Sequence, residues 1–268
     1  MKILVCMKQV PDTSEVTLDP ITNTLIRKGV RSIINPDDKA GIEAALSLRD
    51  EIQNSEVIVV SMGPPQAEIA LMETLAMGCD EAYLISDRKF GGSDTLATST
   101  ILAAALKKIG FDLIITGRQA IDGDTAQVGP QIAEHLGIPH VSYVEEFFYS
   151  DGGDEGKAMI VMRQFEDRYH KIRVKFPCLL TAISGYKEPR YLTVSGVFDA
   201  DNKEIKHFGY EELKEHLDES CIGLKGSPTK VVKSYTKEQK SQGTVLKGLT
   251  NNEAVEAIMA RLKEGHII

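Results

Sequence analysis

Through the first half of the chain, short runs of consecutive apolar residues alternate with longer segments in which apolar residues recur at helical spacing. Residues 3–7, 57–61, 81–85 and the run opening at Leu113 read as strands, and residues 37–53, 66–77 and 95–109 read as helices between them. Uninterrupted apolar runs belong to strands buried on both faces. The alternation therefore predicts an α/β fold with a doubly wound, mostly parallel sheet covered by helices on each side. Helix punctuation agrees. Asn35-Pro36-Asp37-Asp38 offers a cap, a first-turn proline and two acidic residues for the dipole, after which Ala40, Ile42, Ala44, Ala45 and Leu48 form the apolar side. Gly78 and Gly110 stop their helices. Residues 125–136 read as a further helix, with Asp124 as its cap, and residues 141–144 as a strand.

After Tyr149 the pattern changes. A polar, glycine-rich turn at 150–156 precedes apolar stretches at 158–163, 172–176 and 179–183, which read as added, partly antiparallel strands. Apolar periodicity thins from Ser184, and residues 231–247 read as an extended arm. Thr250-Asn251-Asn252-Glu253 is then a capping box, followed by a helical stripe of Ala254, Val255, Ile258, Met259 and Leu262. Such a helix docks either on its own domain or on another chain. The expected division is an α/β domain over 1–185, a connecting segment over 186–230, and an arm with its amphipathic helix over 231–268.

Composition narrows the classes. The chain has 268 residues, 42% of them hydrophobic, which is ample for a core, and its net charge of -8 opposes nucleic acid or an anionic membrane surface. Cys6, Cys79, Cys178 and Cys221 are scattered without a Cys-x-x-Cys pair, so neither a disulfide framework nor a metal site is expected, and a reducing cytoplasm is. The opening apolar run is too short for a signal peptide, and no membrane insertion is expected.

The candidate site lies in Gly117-Arg118-Gln119-Ala120-Ile121-Asp122-Gly123-Asp124-Thr125-Ala126-Gln127-Val128-Gly129-Pro130. It joins a buried strand to a helix, at the strand ends where open α/β sheets hold ligands. A first helical turn offers unpaired N–H groups and a positive dipole end to an anion, with Thr125 adding a hydroxyl and Gly123 and Ala126 allowing close approach. An ordinary, well-capped strand-to-helix loop reads about equally well for this segment alone. Other strand ends converge there: Cys6-Met7-Lys8, Asn35, Ser61-Met62-Gly63 and Ser93-Asp94-Thr95 with Thr98 one turn on. Backbone and Asn35 suit an adenine edge, and Met62 its face. Neither the Gly-x-Gly-x-x-Gly fingerprint nor a P-loop is present, and the six histidines are dispersed, His135 being expected to face solvent or cap. No catalytic residue is assigned, and any chemistry is expected to come from a cofactor.

Lys8-Gln9-Val10-Pro11-Asp12, Asn35-Pro36, Val60-Ser61-Met62-Gly63-Pro64, the 117–124 loop, Pro177-Cys178-Leu179-Leu180-Thr181 and Glu188-Pro189-Arg190-Tyr191 together resemble the β subunit of electron-transfer flavoproteins. The likeness runs in order from the first strand to the terminal helix. It departs at Gln164 and at Arg168-Tyr169-His170-Lys171, which replace residues usual in the signature for contact with the mobile flavin domain. The resemblance implies an adenine-nucleotide α-hydrolase-like fold, a heterodimer with an α subunit, and electron shuttling to or from an acyl-CoA or other flavin dehydrogenase. It implies a nucleotide in this subunit: structural AMP in single-flavin carriers, or a second FAD that takes hydride from NADH in electron-bifurcating members of anaerobes, which pass electrons to ferredoxin or flavodoxin. The small residues at Gly123, Thr125, Ala126 and Val128 resemble the two-flavin form. The carried-over contact positions are Cys6, Asn35, Met62, Asp122, Gly123, Asp124, Thr125, Ala126, Gln127 and Val128, with Thr95 and Thr98 toward the flavin's inner side. Tyr191, Val194 and Val197 match an exposed loop that recognises dehydrogenases, and the terminal arm matches a segment that embraces the α subunit. An adenine-nucleotide-binding regulatory module, similar in fold to universal stress proteins, is the alternative of another class.

Overall fold

The computed structural model describes residues 1–12, 31–153, 156–229 and 243–268. Contacts divide the chain into Met1–Val231 and Val232–Ile268. In the first unit, β1 (Lys2–Met7) is followed by a small antiparallel pair, β2 (Gln9–Pro11) and β3 (Ser32–Ile34). Then come α1 (Pro36–Glu51), β4 (Glu56–Met62), α2 (Glu68–Met77), β5 (Glu81–Ile85), α3 (Thr95–Ile109), β6 (Leu113–Gly117) and α4 (Val128–Leu136). The chain continues through β7 (His140–Ser150), β8 (Ala158–Gln164), β9 (Tyr169–Lys175), β10 (Cys178–Ala182), α5 (Val194–Asp201), β11 (Ile205–Phe208) and the single turns α6 (Tyr210–Leu213) and α7 (Gly223–Gly226).

Among the described residues, nine strands form one sheet in the order β11-β5-β4-β1-β6-β10-β7-β8-β9. All neighbours are parallel from β11 through β7, and β7-β8-β9 continue as antiparallel hairpins. This is the expected doubly wound sheet with added antiparallel strands. Alternation along β1 sends Ile3, Val5 and Met7 to a core built with α1 and α2, and Leu4 and Cys6 to a second core built with α3 and α4. From β1 the chain steps outward through β4 to β5, then returns by α3 to place β6 on the other side of β1. The strand order reverses between β1 and β6, so their carboxyl ends open the crevice at which such sheets hold ligands.

Several elements differ from expectation. The strand placed at 141–144 runs to Ser150, because its second half pairs with β8 from Val144 to Ser150. Ile205–Phe208 adds β11 beside β5, although its alternation is too weak to mark a strand by itself. α1 is buried nearly all round rather than on one side, since Asp37, Asp38 and Glu43 are covered as well as its apolar residues. The glycine stops hold: Gly78 and Gly110 end their helices at φ of 112° and 78°. In the second unit, α8 (Asn251–Glu264) starts with the expected capping box, Thr250 Oγ1 accepting from Glu253 N while Glu253 Oε2 accepts from Thr250 N at 2.8 Å. Most of the arm read over 231–247, and part of the 150–156 turn, lie outside the described residues. No helix among the described residues is long and apolar enough to cross a membrane.

Candidate functional site

The start of α1 lies at the switch point, and its polar residues are bonded to strands and loop rather than to their own helix. Asn35 occupies the cap position, but its side chain makes no capping bond. Its Nδ2 donates to Gln119 O at 2.8 Å, and its Oδ1 accepts from Ile121 N at 3.1 Å, so it holds the loop after β6 instead. Asp38 accepts from Lys8 N at 2.7 Å and Gly117 N at 2.9 Å, joining the ends of β1 and β6. Asp37 accepts from Ser184 N, just beyond β10, at 3.0 Å and faces Arg118 Nε at 3.2 Å. A Cβ at Gly117 would overlap Asp38 Oδ1, so only glycine admits this approach. Burial pushes the Asp38 carboxyl up to about 7, against the bonds from Lys8 N and Gly117 N that pull it down. Burial, with the Asp38 charge adding to it, pushes the Cys6 thiol up to about 12, which makes Cys6 a packing residue with no thiolate to offer.

The loop from Gly117 to Gln127 is tied through side chains along its length. Lys8 Nζ lies 2.8 Å from both oxygens of Asp122. Gln119 Nε2 donates to Asp124 Oδ1 at 2.9 Å, and the N–H groups of Gly123 and Asp124 both reach Ala120 O. Asp124 and Ala126 take left-handed backbone, with φ of 50° and 53°. The helix expected from Thr125 begins at Val128, with Gln127 at the cap and no side-chain capping bond, so Asp124 is not its cap. Pro130 explains the shift. A helix from Thr125 would need a Pro130 N–H to meet Ala126 O, and proline has none, so the helix starts late enough to keep Pro130 in its first turn.

Among the described residues, no acceptor meets the N–H groups of residues 125–129. Left-handed residues alternating into a helix start aim such groups into one concavity suited to an anion. A Cβ on Gly123 would meet nothing within 4 Å, so the approach is open. Gly129 is the opposite, since a Cβ there would lie 2.6 Å from Thr116 Oγ1 and 3.0 Å from Thr181 Cγ2, and α4 is thereby seated directly on the sheet. Thr95 Oγ1 donates to Gln127 Oε1 at 2.8 Å, linking the starts of α3 and α4. Thr98 is half-buried one turn along α3, and Met62 is half-buried at the end of β4. His135 Nε2 lies 3.2 Å from Ser99 Oγ on α3. Cys6, Asn35, Met62, Thr95, Thr98 and residues 122–128 thus share the carboxyl edge of the sheet.

Tyr191, Val194 and Val197 stand elsewhere. They are 90%, 77% and 49% exposed, as a docking segment requires, but Val194 and Val197 belong to α5, capped by Thr193, rather than to a loop. Arg190 anchors this segment to α1: its Nε and Nη2 meet the Glu43 carboxylate at 3.0 and 2.9 Å, and Nη2 reaches Asp50 at 3.1 Å. Burial opposes the Glu43 charge, but the bonds and charge of Arg190 outweigh it and hold the carboxyl below its usual range. A cavity of about 480 Å³ lies beside this pair, away from the 117–129 loop. The residues that sequence reasoning passed over are Asp37 and Asp38, read as dipole partners. Their sequence signal was two acids directly after Asn-Pro, but their acceptor bonds are tertiary.

The model of the electron transfer flavoprotein domain matches residues 22–212. The chain belongs to the electron transfer flavoprotein family. Within it the likeness is to β subunits: the electron transfer flavoprotein subunit beta of Clostridium acetobutylicum is 53% identical over the full length of both chains. The CarD subunit of the caffeyl-CoA reductase–Etf complex of Acetobacterium woodii is 52% identical, and the acryloyl-CoA reductase electron transfer subunit gamma of Anaerotignum propionicum 48%, each again over both full lengths. An electron transfer flavoprotein β subunit acts in electron transfer, and the family is flavin-associated.

Proposed function

We propose that this β subunit binds FAD on the 122–128 loop and serves as the entry point for hydride from NADH in an electron-bifurcating complex. One observation carries the reading: among the described residues, the N–H groups of the five consecutive residues 125–129 meet no acceptor, beside the small side chains of Gly123 and Ala126. A diphosphate needs several donors at close backbone approach and little side-chain bulk, and this loop fits both needs. The fit holds for the rest of the site: Asn35 and the strand-end backbone border the adenine side, while Thr95, Thr98 and Gln127 border the inner side toward the flavin ring. The flavin supplies two-electron acceptance from a nicotinamide and one-electron delivery to partners, which no side chain here could do. The protein's part is to bind, orient and shield. Asp122, paired to Lys8, and Asp124, turned to Gln119, are kept from opposing the phosphates.

The partners in this reading are an α subunit, engaged in part by α8, an acyl-CoA or other flavin dehydrogenase met by Tyr191, Val194 and Val197, and ferredoxin or flavodoxin as low-potential acceptor. The relatives named for caffeyl-CoA and acryloyl-CoA reductases support it. The test is to co-express the chain with its α subunit and measure FAD and AMP per heterodimer after denaturing release. Two FAD and no AMP are expected. One FAD with stoichiometric AMP would overturn the bifurcating reading and make the subunit the structural half of a single-flavin carrier.

A further inference from the structure

We infer that Asp38 is a positioning residue for the nucleotide loop: by joining the ends of β1 and β6 at the switch point, it fixes where the 117–127 loop begins and closes the first β–α turn to anions. The inference rests on the reading of a nucleotide at this site.

The argument starts from which donors a ligand could use. At the carboxyl edge, the N–H groups of Lys8 and Gly117 end the two strands that flank the crevice, where an incoming phosphate would ordinarily find donors. Both are already taken, at 2.7 and 2.9 Å, by the two oxygens of one buried carboxylate. Each oxygen accepts one N–H, so the geometry calls for an acceptor at both positions, which a carboxylate provides and an amide does not. A negative group at the first turn of α1 also neutralises that helix start. An anion is thus refused at α1 and directed to residues 125–129, whose donors meet no acceptor among the described residues.

The same carboxylate sets the loop's geometry. Gly117 is the last residue of β6 and the first of the loop, and the absence of a Cβ there is what lets Asp38 Oδ1 reach it. Beyond Gly117, Asn35 holds Gln119 and Ile121, and Lys8 holds Asp122. The fastenings of residues 119–122 therefore run back to Lys8, which Asp38 fixes, or to Asn35 at the start of the helix that carries it, while Arg118 N meets Ala182 O and Gln127 is held from α3 by Thr95. Misplacing Gly117 would shift residues 118–124, while the far end of the loop stays with α4, seated on Thr116 and Thr181.

The test uses the co-expressed heterodimer at pH 8, with nucleotide affinity, melting temperature and hydrogen exchange over residues 113–127 measured together. Asp38→Asn and Gly117→Ala break the same contact from opposite sides, and each should weaken nucleotide binding at least about tenfold, the worth of one charge-assisted hydrogen bond. The double variant should be no weaker than the worse single one, since both remove one interaction. Leu46→Ala, in the core of α1 and fully buried, is the control: it should lower the melting temperature while leaving affinity within about twofold. Exchange over 113–127 should quicken in the first two variants and not in the control. If affinity instead tracks melting temperature across all three, or Asp38→Asn keeps wild-type affinity, the inference is overturned. If the wild-type subunit holds no nucleotide, the proposed function fails by itself and the exchange contrast decides: quickening confined to Asp38→Asn and Gly117→Ala sustains the loop-fixing role, and its absence ends it. Should Asp38→Asn not fold, Gly117→Ala carries the same comparison.

Discussion

Two helices begin at the same crevice and treat their starts in opposite ways. α1 carries proline and two acidic residues in its first turn, and both carboxylates are buried and bonded to backbone N–H groups of strand ends. α4 has no acidic residue in its first turn, no side-chain capping bond, and a run of N–H groups leading into it that meet no acceptor among the described residues. In the proposed reading the bare start of α4 is kept for the nucleotide's phosphates, whose oxygens would supply the missing acceptors. On that reading the contrast separates structure from function more sharply than either site alone: α1 stabilises the crevice and α4 receives the nucleotide.

The largest effect that could break this contrast is a pH dependence. Asp38 is raised in the folded chain to about 7 from the ordinary carboxyl value of 3.8. As pH rises between these values the unfolded chain gives up this proton while the folded chain keeps it, so folding loses stability across the window, by at most about 1.4 kcal/mol per pH unit. Asp38→Asn has no such proton. Its stability relative to wild type should therefore climb from about pH 4 to about pH 7 and level above it, measured by denaturant unfolding in buffers of constant ionic strength. A flat difference would mean that Asp38 is not buried as described, and the contrast with α4 would lose its first half.

A smaller effect tests α4. Gly129→Ala would place a methyl group within contact of Thr116 and Thr181, at 2.6 and 3.0 Å, and overpacking of that kind costs about 1–3 kcal/mol. The helix start must lift from the sheet to relieve it, so nucleotide retention in the purified heterodimer should fall along with the melting temperature. Retention unchanged at a lowered melting temperature would move the anion site off α4.

Much of the frame was legible because strands buried on both faces and helices with caps write themselves locally. The run Leu113-Ile114-Ile115, the glycine stops and the capping box at Thr250 needed no tertiary knowledge. The start of α4 was misplaced by three residues although its signal was present in Pro130, whose missing N–H confines it to a first turn. Asp37 and Asp38 were a different matter. Asp37 meets Ser184 across 147 residues, and no local pattern tells an acid that favours a dipole from one that fastens a distant strand. The Tyr191–Val197 stretch was placed as exposed, correctly, but its short α5 escaped notice because few of its residues are buried.

The smallest prediction concerns Ala126, and it sharpens the contrast because stability and binding should move in opposite directions. Ala126 holds φ of 53°, a conformation that costs an L-residue with a Cβ roughly 1–2 kcal/mol. Glycine removes that strain but gains freedom in the unfolded chain, which returns part of the benefit, so Ala126→Gly should stabilise the ligand-free fold by about 0.5 kcal/mol. In a loop built only to connect β6 to α4, that substitution would be a plain improvement. In a loop shaped to present N–H groups, the added freedom must be lost again on binding, so the same variant should release nucleotide faster while melting slightly higher without it. Thermal unfolding of the ligand-free heterodimer and the dissociation rate of the released nucleotide give the two signs independently. A lower melting temperature would mean the Ala126 methyl contributes packing that outweighs its strain, and unchanged release would mean that the left-handed turn serves the connection alone.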